Sequence, residues 1–378
     1  MTWTPLSGRA QDIALEVLLA GPLTRLELAD RLDLSAGSLT RLTKPLLAEG
    51  FLIERDEPVG NGQRMGRPQR PLDVPAGAFH FVGVKVTSTR LFGVVTTLKA
   101  EIVHATDVAI DSKDPGHIVA GIAALVRDLT RQVGHVEAVG VTVGGEVRDR
   151  RTVVFSHILG WRHVPLADLI AEATGLPTVV DNDITGLTES ESWFGEGRGL
   201  EQFALVTIGA GIGYSYVVRR HQVSLTDAGL GAASHLPLDP TGPVCRLGHR
   251  GCALAWLSSG SIAGTVSTAL GRTVTYQQAL DLAEQHDPAA ARIVGDSARQ
   301  LGVLISMVAS LTMPEAVLLG GEGVRLATVG KHEMEEGITK YRDPQASAID
   351  IRLRPSDFTE WARGAAVVAI QDRVLGRV

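Results

Sequence analysis

The sequence has few cysteines, no long apolar run and no excess of positive charge. It contains two cysteines among 378 residues, which favours free thiols or a metal site over a disulfide. No apolar run approaches the length of a membrane span, and Met1–Pro5 lacks the basic and apolar character of a signal peptide, so we expect a cytoplasmic protein without a membrane partner. The formal net charge is −6, so contact with nucleic acid must come from a local patch.

What is present describes a globular protein with a sizeable core. Hydrophobic residues make up 44% of the chain and charged residues 21%. The length leaves room for about two or three domains. The sequence shows neither a short-period repeat nor a low-complexity tract.

Residues 21–70 carry the pattern of a winged helix-turn-helix, a module whose main use is to read DNA. Thr24 followed by Glu27 predicts a capping box at the start of one helix, and Ser35 predicts the cap of the next. Between them, Leu32–Leu34 is typical of the short turn that sets two such helices at a steep angle.

The wing follows the third helix. Phe51–Ile53 predicts a strand, Gly60–Gly62 predicts a hairpin tip, and the return strand should end near Leu72. Hydroxyl and cationic side chains on the outward side of the third helix suit base edges and phosphates, and arginines on the wing suit phosphate or the minor groove. The predicted DNA-binding residues are Ser38, Thr40, Arg41, Lys44, Arg64 and Arg67.

The balance of charge in the head leaves an alternative open. Residues 1–72 hold nine Lys or Arg and nine Asp or Glu, so the head is not basic overall. A winged helix that binds protein would share this pattern. The local concentration of positive charge on the third helix and the wing favours double-stranded DNA.

Beyond a predicted linker at Pro71–Pro75, the chain reads as an α/β domain with paired glycines at the ends of strands. The strands are predicted at residues 79–86, 91–98, 102–110, 138–143, 178–180, 203–208, 214–219 and 316–319. The helices are predicted at residues 117–133, 166–173, 184–193 and 289–311. The first three strands lie close together in sequence, as in an antiparallel start to a sheet.

Seven motifs in order resemble the ROK family of repressors and sugar kinases over nearly the whole chain. They are Val139–Gly145, Leu159–Trp161, Val180–Asp183, Glu191–Gly195, Gly209–Gly213, His235–Cys252 and Pro314–Gly321. The resemblance implies a winged helix-turn-helix followed by a two-lobed, actin-like sugar-kinase domain. The domains would be residues 1–74 and 75–378, with a smaller lobe of about 75–184 plus a C-terminal helix at 360–378, and a larger lobe of about 185–359.

The resemblance also implies where phosphoryl transfer would need residues that this chain lacks. Kinases of the family begin their first strand motif with Asp-x-Gly-x-Thr, whereas this chain has Lys85–Thr89. Lys85 cannot hold Mg²⁺, and Thr87 replaces a glycine that lets a phosphate approach the backbone. The second phosphate loop, Gly209–Gly213, is intact as sequence. We therefore expect no enzyme activity and no requirement for ATP.

The family's sugar contacts are only partly present. Asn182 and Asp183 match its sugar-binding Asn and its catalytic Asp, and Asp183 could cap the following helix instead of, or as well as, contacting a ligand. Two sugar-binding Glu residues of the family are Ala232 and Leu254 here. The predicted ligand-binding residues are Gly145, Asn182, Asp183 and His235, around a sugar-type ligand between the lobes.

The resemblance implies a structural zinc held by one His and three Cys. His235, Cys245 and Cys252 match three of these ligands, whereas Leu247 stands at the position of the fourth. His249 could complete a tetrahedral set, although it lies two residues beyond that position. The alternative is a pair of free thiols in a loop that packing holds.

The sequence therefore predicts a DNA-binding transcriptional regulator, a repressor of carbohydrate-related genes that responds to a sugar-type ligand. Operator half-sites related by two-fold symmetry would call for a homodimer or homotetramer. Two alternatives stay open. One is an ATP-dependent sugar kinase with an attached DNA-binding head, and the other is a regulator that no longer senses a small sugar.

Overall fold

The computed structural model describes the chain over residues 6–56, 70–223, 229–354 and 357–376. The chain forms two compact units. The first unit consists of residues 1–143, 148–181 and 361–378, and the second consists of residues 144–147 and 182–360. The first unit thus contains the predicted head together with most of the predicted smaller lobe. A domain boundary at residue 74 stays a prediction.

Three helices open the first unit: α1 (Gly8–Ala20), α2 (Arg25–Leu32) and α3 (Ala36–Ala48). Both predicted caps are confirmed, because the hydroxyls of Thr24 and Ser35 accept from the N–H groups of Glu27 and Ser38, each at 3.2 Å. The Glu27 carboxylate accepts from the Thr24 N–H at 2.7 Å, which completes the capping box. The helices share an apolar core of Ile13, Val17, Leu18, Leu28, Leu39 and Leu46.

A short wing follows, in which β1 (Ile53–Glu54) pairs antiparallel with β2 (Leu72–Asp73). The predicted linker at Pro71–Pro75 is wrong, because β2 lies inside it and four of its five residues are buried. Leu72 accounts for this difference. Its N–H donates to the carbonyl of Leu23 at 2.7 Å, its own carbonyl accepts from the Leu23 N–H at 2.9 Å, and its side chain is fully buried.

The first strand of the wing is shorter than predicted. Of the predicted Phe51–Ile53, only Ile53 belongs to β1. Phe51 and Leu52 are buried in the core instead, and β1 begins only after them. The predicted hairpin tip at Gly60–Gly62 lies outside the described residues.

The first unit is built on a five-stranded sheet. The next strands along the chain are β3 (His80–Val86), β4 (Arg90–Thr97), β5 (Ile102–Ala109), β6 (Ala138–Val143), β7 (Glu146–Arg148), β8 (Thr152–Ser156), β9 (Trp161–Val164) and β10 (Thr178–Asn182). Of these, most of β7 and the last residue of β10 belong to the second unit. The strand order β10-β6-β3-β4-β5 has β3, β4 and β5 antiparallel and β3 parallel to β6, which confirms the predicted antiparallel start. The helices α4 (Pro115–Val133) and α5 (Leu166–Thr174) follow β5 and β9.

The second unit holds another five-stranded sheet, of order β13-β12-β11-β14-β15. Its strands are β11 (Gln202–Ile208), β12 (Ile212–Val218), β13 (His221–Gln222), β14 (Ala316–Gly320) and β15 (Ile351–Leu353). Its helices are α6 (Asp183–Phe194), α7 (Ala253–Leu257), α8 (Ser259–Leu270), α9 (Tyr276–Glu284), α10 (Pro288–Thr312), α11 (Arg325–Val329) and α12 (Lys331–Lys340). β11 runs parallel to β14 and antiparallel to β12, so the loops after β11 and β14 lie at the same end of the sheet.

The last helix, α13 (Phe358–Leu375), packs on the sheet of the first unit at two glycines. A Cβ on Gly83 would lie 2.0 Å from the carbonyl oxygen of Ala362, and one on Gly140 would lie 1.8 Å from that of Ala365. Gly83 and Gly140 are partners on the neighbouring strands β3 and β6. Together they form a groove against which α13 packs closely. The helix is buried along most of its length.

Candidate functional site

The predicted recognition residues lie on α3, which Ser35 caps. Thr40, Arg41 and Lys44 are exposed, whereas Ser38 is half-buried. The Ser38 hydroxyl accepts from Ser35 at 3.0 Å, and the Thr40 hydroxyl donates to a backbone carbonyl one turn earlier at 2.9 Å. Arg41 and Lys44 are therefore the exposed polar side chains of α3 that are most accessible to a binding partner.

The other arginines on the helices of the head are already paired. Arg25 lies 2.6 Å from Glu54, and Arg31 lies 2.5 Å from Glu16. Within the described residues, the two cationic side chains of α3 form no ion pair. Positive charge on the head is therefore uncompensated where the sequence predicts DNA contact.

The wing arginines Arg64 and Arg67 fall outside the part of the chain that the structure describes. The described wing consists of β1, β2 and their flanks. There, Arg55 pairs with the buried carboxylate of Asp73 at 2.5 Å and so supports the fold. A DNA contact by the wing stays a prediction.

Asn182 is the N-cap of α6, and both the oxygen and the nitrogen of its side-chain amide form hydrogen bonds. Its Oδ1 accepts from the N–H groups of Ile184 at 2.9 Å and Thr185 at 3.4 Å, while its Nδ2 donates to the carbonyl of Gly145 at 2.8 Å. The alternative interpretation of Asp183 as the cap is wrong, because Asp183 is the first residue of the helix. Asn182 thereby fixes the position of the glycine pair that follows β6.

The backbone comes close together around this amide. Gly145 has a φ of +151° and Gly229 a φ of +86°, both in the region that favours glycine. A Cβ on Gly229 would lie 2.0 Å from the carbonyl oxygen of Gly145. Asp183 is half-buried in the first turn of α6, where the helix dipole favours a negative charge. The structure thus gathers three of the predicted ligand-binding residues, Gly145, Asn182 and Asp183.

His235, the fourth, lies in a group of His and Cys side chains that could hold a metal ion. The ligand atoms of His235, Cys245, His249 and Cys252 all lie within 4.8 Å of one another. The Nδ1 of His235 is 3.8 Å from the sulfur of Cys245 and 3.9 Å from that of Cys252. Leu247 is 62% exposed and takes no part, so His249 supplies the fourth ligand atom.

The electrostatics of two members of this group, Cys245 and His235, suit metal binding. Burial opposes ionisation of Cys245, but N–H groups of the loop, led by that of Leu247, outweigh it and lower the pKa of the thiol. Burial raises the pKa of Cys252. Burial, followed by the charge of His249, lowers the pKa of His235, so that its imidazole stays neutral. A thiolate and a neutral imidazole are the forms that bind zinc.

Lys85, which stands at the position of the family's metal-binding Asp, points into the first unit. It is 5% exposed, and its ammonium lies 5.2 Å from the centre of the Trp361 ring at the start of α13. A cation over the face of an indole is a favourable contact. The position is therefore filled by a positive charge that belongs to the chain itself.

Sequence reasoning missed Glu322. Its carboxylate accepts from the N–H of Ala210 at 2.7 Å, inside the loop that was predicted as an intact phosphate loop. The signal available was its place directly after Gly320–Gly321, at the end of a strand parallel to β11.

The model of the ROK family matches residues 81–372. The chain belongs to the ROK family. Among its ROK relatives, the transcriptional repressor Mlc of Escherichia coli is 22% identical over 369 residues, which is 93% of this chain and 90% of Mlc. The xylose repressor of Bacillus subtilis is 23% identical over 310 residues, which is 80% of this chain and 79% of the repressor.

A solved ROK transcriptional regulator, a homologue of the E. coli Mlc protein, has a TM-score of 0.83 at 22% identity and covers 97% of this chain and 96% of its own. ROK kinases are similar too: the glucokinase of Thermotoga maritima is 30% identical over 63% of this chain and 80% of its own. The predicted family and fold class are confirmed. Within the described residues, no helix of this ROK protein is both long and apolar enough to span a membrane.

Proposed function

We propose that this chain is a DNA-binding transcriptional regulator, and that α3 is its recognition helix. The observation that carries the proposal is the pair Arg41 and Lys44, exposed on a capped helix and without an ion pair among the described residues, whereas Arg25 and Arg31 are neutralised. Two ROK relatives named as repressors support it. Arginine and lysine in this position suit guanine edges and phosphates.

The test begins with genome-wide mapping of bound sites, which supplies an operator for gel-shift titration. Arg41→Ala and Lys44→Ala should each weaken operator binding by about tenfold or more. The matched control is Arg31→Ala, since Arg31 is bound to Glu16 and should leave affinity nearly unchanged. Wild-type affinity in both α3 variants would contradict the proposal.

Two-fold operators call for a two-fold protein, so the regulator should be a homodimer or homotetramer. Light scattering of the purified chain with and without operator gives the mass directly. A monomer on DNA would contradict this part of the proposal.

The ligand of the regulator is a sugar-type molecule held at Gly145, Asn182, Asp183 and His235. The cap of α6 supports this proposal, because it places an amide, a carboxylate and a close-packed glycine turn side by side. A thermal-shift screen of pentoses, hexoses and their phosphates should find one stabilising compound, worth about 2.7 kcal/mol at about 100 times its Kd. Asn182→Ala should abolish that shift.

The matched control for this screen is Gln222→Ala. Its amide donates to Ser215 at 2.8 Å in the same unit, and Gln222 is not one of the predicted ligand-binding residues, so the ligand shift should survive. If no sugar stabilises the wild type, the alternative of a regulator that no longer senses a small sugar stands. Leu254 favours that alternative, because it is buried against Cys245 and Cys252 where the family has a sugar-binding Glu.

The chain does not transfer phosphate. Lys85 supports this part of the proposal, since a buried ammonium over Trp361 stands where a carboxylate would hold a metal. A coupled assay should show no release of ADP from ATP with any common hexose or amino sugar. Turnover that Asp183→Ala abolishes would instead establish the kinase alternative.

The His and Cys group is a structural zinc site. Its set of two sulfurs and two imidazoles fits tetrahedral zinc, whose bonds are about 2.0–2.3 Å long. Zinc would tie the short helical turn Ala232–His235 to the loop Cys245–Cys252. Metal analysis of the purified chain should give one zinc per chain, and its absence after purification in zinc-containing medium would contradict the site.

A further inference from the structure

The loop after β11 already binds an anionic side chain of the same protein, the carboxylate of Glu322. Ala210 and Gly211 at its tip are exposed, yet the Ala210 N–H donates to Glu322 Oε1 at 2.7 Å. A Cβ on Gly209 would lie 2.2 Å from the carboxyl carbon of Glu322 and 2.3 Å from its oxygens. The carboxylate is therefore packed against the bare backbone of the loop.

The turn that carries Glu322 is fixed in place. Gly321 has a φ of +91°, and a Cβ on it would lie 2.4 Å from the carbonyl of Ile208. The N–H of Gly323 donates to that same carbonyl at 2.8 Å, and the hydroxyl of Tyr276 donates to the carbonyl of Gly323 at 2.7 Å. Burial raises the pKa of Tyr276, which keeps this hydroxyl protonated as a donor. The carboxylate is thus held over the loop by both of its neighbours.

Other N–H groups of the loop are also used inside the chain. That of Gly209 donates to the carbonyl of Gly211 at 3.0 Å, and that of Ile212 donates to the hydroxyl of Ser234 at 3.0 Å. The N–H of Ala210 is an exposed donor at the tip of the loop, and the Glu322 carboxylate already accepts from it.

A carboxylate and a phosphate compete for such a donor, because both are anions that bind backbone N–H groups in concave turns. They also repel each other at contact distance. We propose that Glu322 occupies the place of a nucleotide phosphate in this loop and is the residue that excludes nucleotides from the second unit. The proposal deepens, and rests on, the proposed absence of phosphoryl transfer, but it concerns nucleotide binding rather than turnover.

Glu315 provides a matched control. It lies just before β14, and its Oε1 accepts from the N–H groups of Glu201 at 2.7 Å and Gln202 at 2.9 Å, at the opposite end of β11. Both carboxylates thus bind backbone N–H groups beside the same pair of strands. Only Glu322 does so at the glycine loop.

The experiment measures binding of ADP, without hexose, by calorimetry and by anisotropy of a fluorescent ADP analogue. Wild type and Glu315→Gln should show no binding up to about 1 mM ADP. Glu322→Gly should bind ADP with a Kd at least about tenfold below that concentration. Glu322→Gln keeps a hydrogen-bonding side chain without the charge, so its affinity should lie between the two. If Glu322→Gly does not fold, the proposal stands or falls on whether Glu322→Gln binds ADP more tightly than the wild type.

Two results would overturn the proposal: wild type that binds ADP as tightly as Glu322→Gly, or folded Glu322 variants that bind no better than Glu315→Gln. Operator binding by the same samples separates this outcome from the proposed function. Loss of DNA binding in every sample would count against the regulator and leave the nucleotide result intact. ADP release by the wild type would count against the absence of phosphoryl transfer.

Discussion

The ammonium group of Lys99 lies 2.7 Å from the carboxylate of Asp73, which is fully buried. Asp73 belongs to the wing strand β2, and Lys99 lies in the turn between β4 and β5. Arg55, beside the other wing strand, reaches the same carboxylate. A single buried negative charge thus joins the predicted DNA-binding head to the sheet that follows it in the first unit.

Removing the Lys99 cation should therefore destabilise the first unit. Lys99→Met leaves the Asp73 carboxylate buried with one cation instead of two, which should lower the free energy of unfolding by about 2 kcal/mol. Urea unfolding of the full chain, followed by hydrogen exchange of the wing, measures the loss. The control is Arg90→Met, whose ion pair with Asp107 is exposed and should contribute less than about 1 kcal/mol. Equal losses in both variants would contradict this account.

The capping box of α2 should make the head sensitive to acid. Hydrogen bonds from the backbone and then the hydroxyl of Thr24 lower the pKa of Glu27. The stability that Glu27 contributes is therefore fully present above its ordinary value of 4.5 and is lost as the pH falls through the lowered pKa. Glu27→Gln should weaken protection of the α2 amides above pH 4.5 and converge with wild type well below it.

Removing the Thr24 hydroxyl tests the contribution of the same capping box to stability. Thr24→Ala should cost about 1 kcal/mol at neutral pH. Glu49→Gln, at the end of α3 and without a hydrogen bond to its carboxylate among the described residues, should change neither protection nor its pH dependence. A pH response that is the same in Glu27→Gln and wild type would rule out the capping carboxylate as its source.

The metal group makes a prediction about which residue replaces the family's middle Cys. His249→Ala should weaken zinc binding by at least about tenfold, because a direct ligand is lost. Leu247→Ala should retain zinc, since that side chain is exposed and outside the group. Competition with a colorimetric chelator measures both. Unchanged zinc affinity in His249→Ala would contradict the assignment of His249 as a ligand.

The groove for α13 predicts a strong effect of adding one methyl group. Gly140→Ala would place a Cβ 1.8 Å from the Ala365 carbonyl, so helix and sheet must separate, at a cost of about 1–3 kcal/mol or more. Gly264→Ala is the control, because Gly264 is exposed in α8 with nothing within 4 Å of the added Cβ. That variant should be neutral or stabilised by up to about 1 kcal/mol. Thermal unfolding distinguishes the two.

Much of the fold could be predicted because its central strands are continuous apolar runs. The runs at His80–Val86 and Ala138–Val143 have β-branched residues and clear ends, and the structure places the strands there. The helix α8 was not predicted, since Ser259–Leu270 is rich in Ser, Thr and Gly and has weak helix propensity. Its place depends on apolar contacts of Ile262 and Val266 that form only in the folded unit.

The candidate sites divide in the same way. The types of ligand in the metal group could be predicted, but whether His249 reaches the other three ligands depends on how the loop turns back. The contact of Glu322 with Ala210 joins residues 112 positions apart, and no local pattern announces it. The cap by Asn182 rather than Asp183 was missed because both residue types cap helices, and only the backbone bonds of the first turn distinguish them.

The course of α13 has a consequence for synthesis on the ribosome. The groove at Gly83 and Gly140 is made early in the chain, but the helix that fills it follows the whole second unit. The side-chain amide of Gln11 in α1 also donates to the carbonyl of Val374 in α13, at 3.0 Å. A nascent chain therefore carries an open sheet until its last helix emerges, and a product that stops early lacks the support beneath α1. Completion of translation thus becomes a condition for a fully assembled first unit.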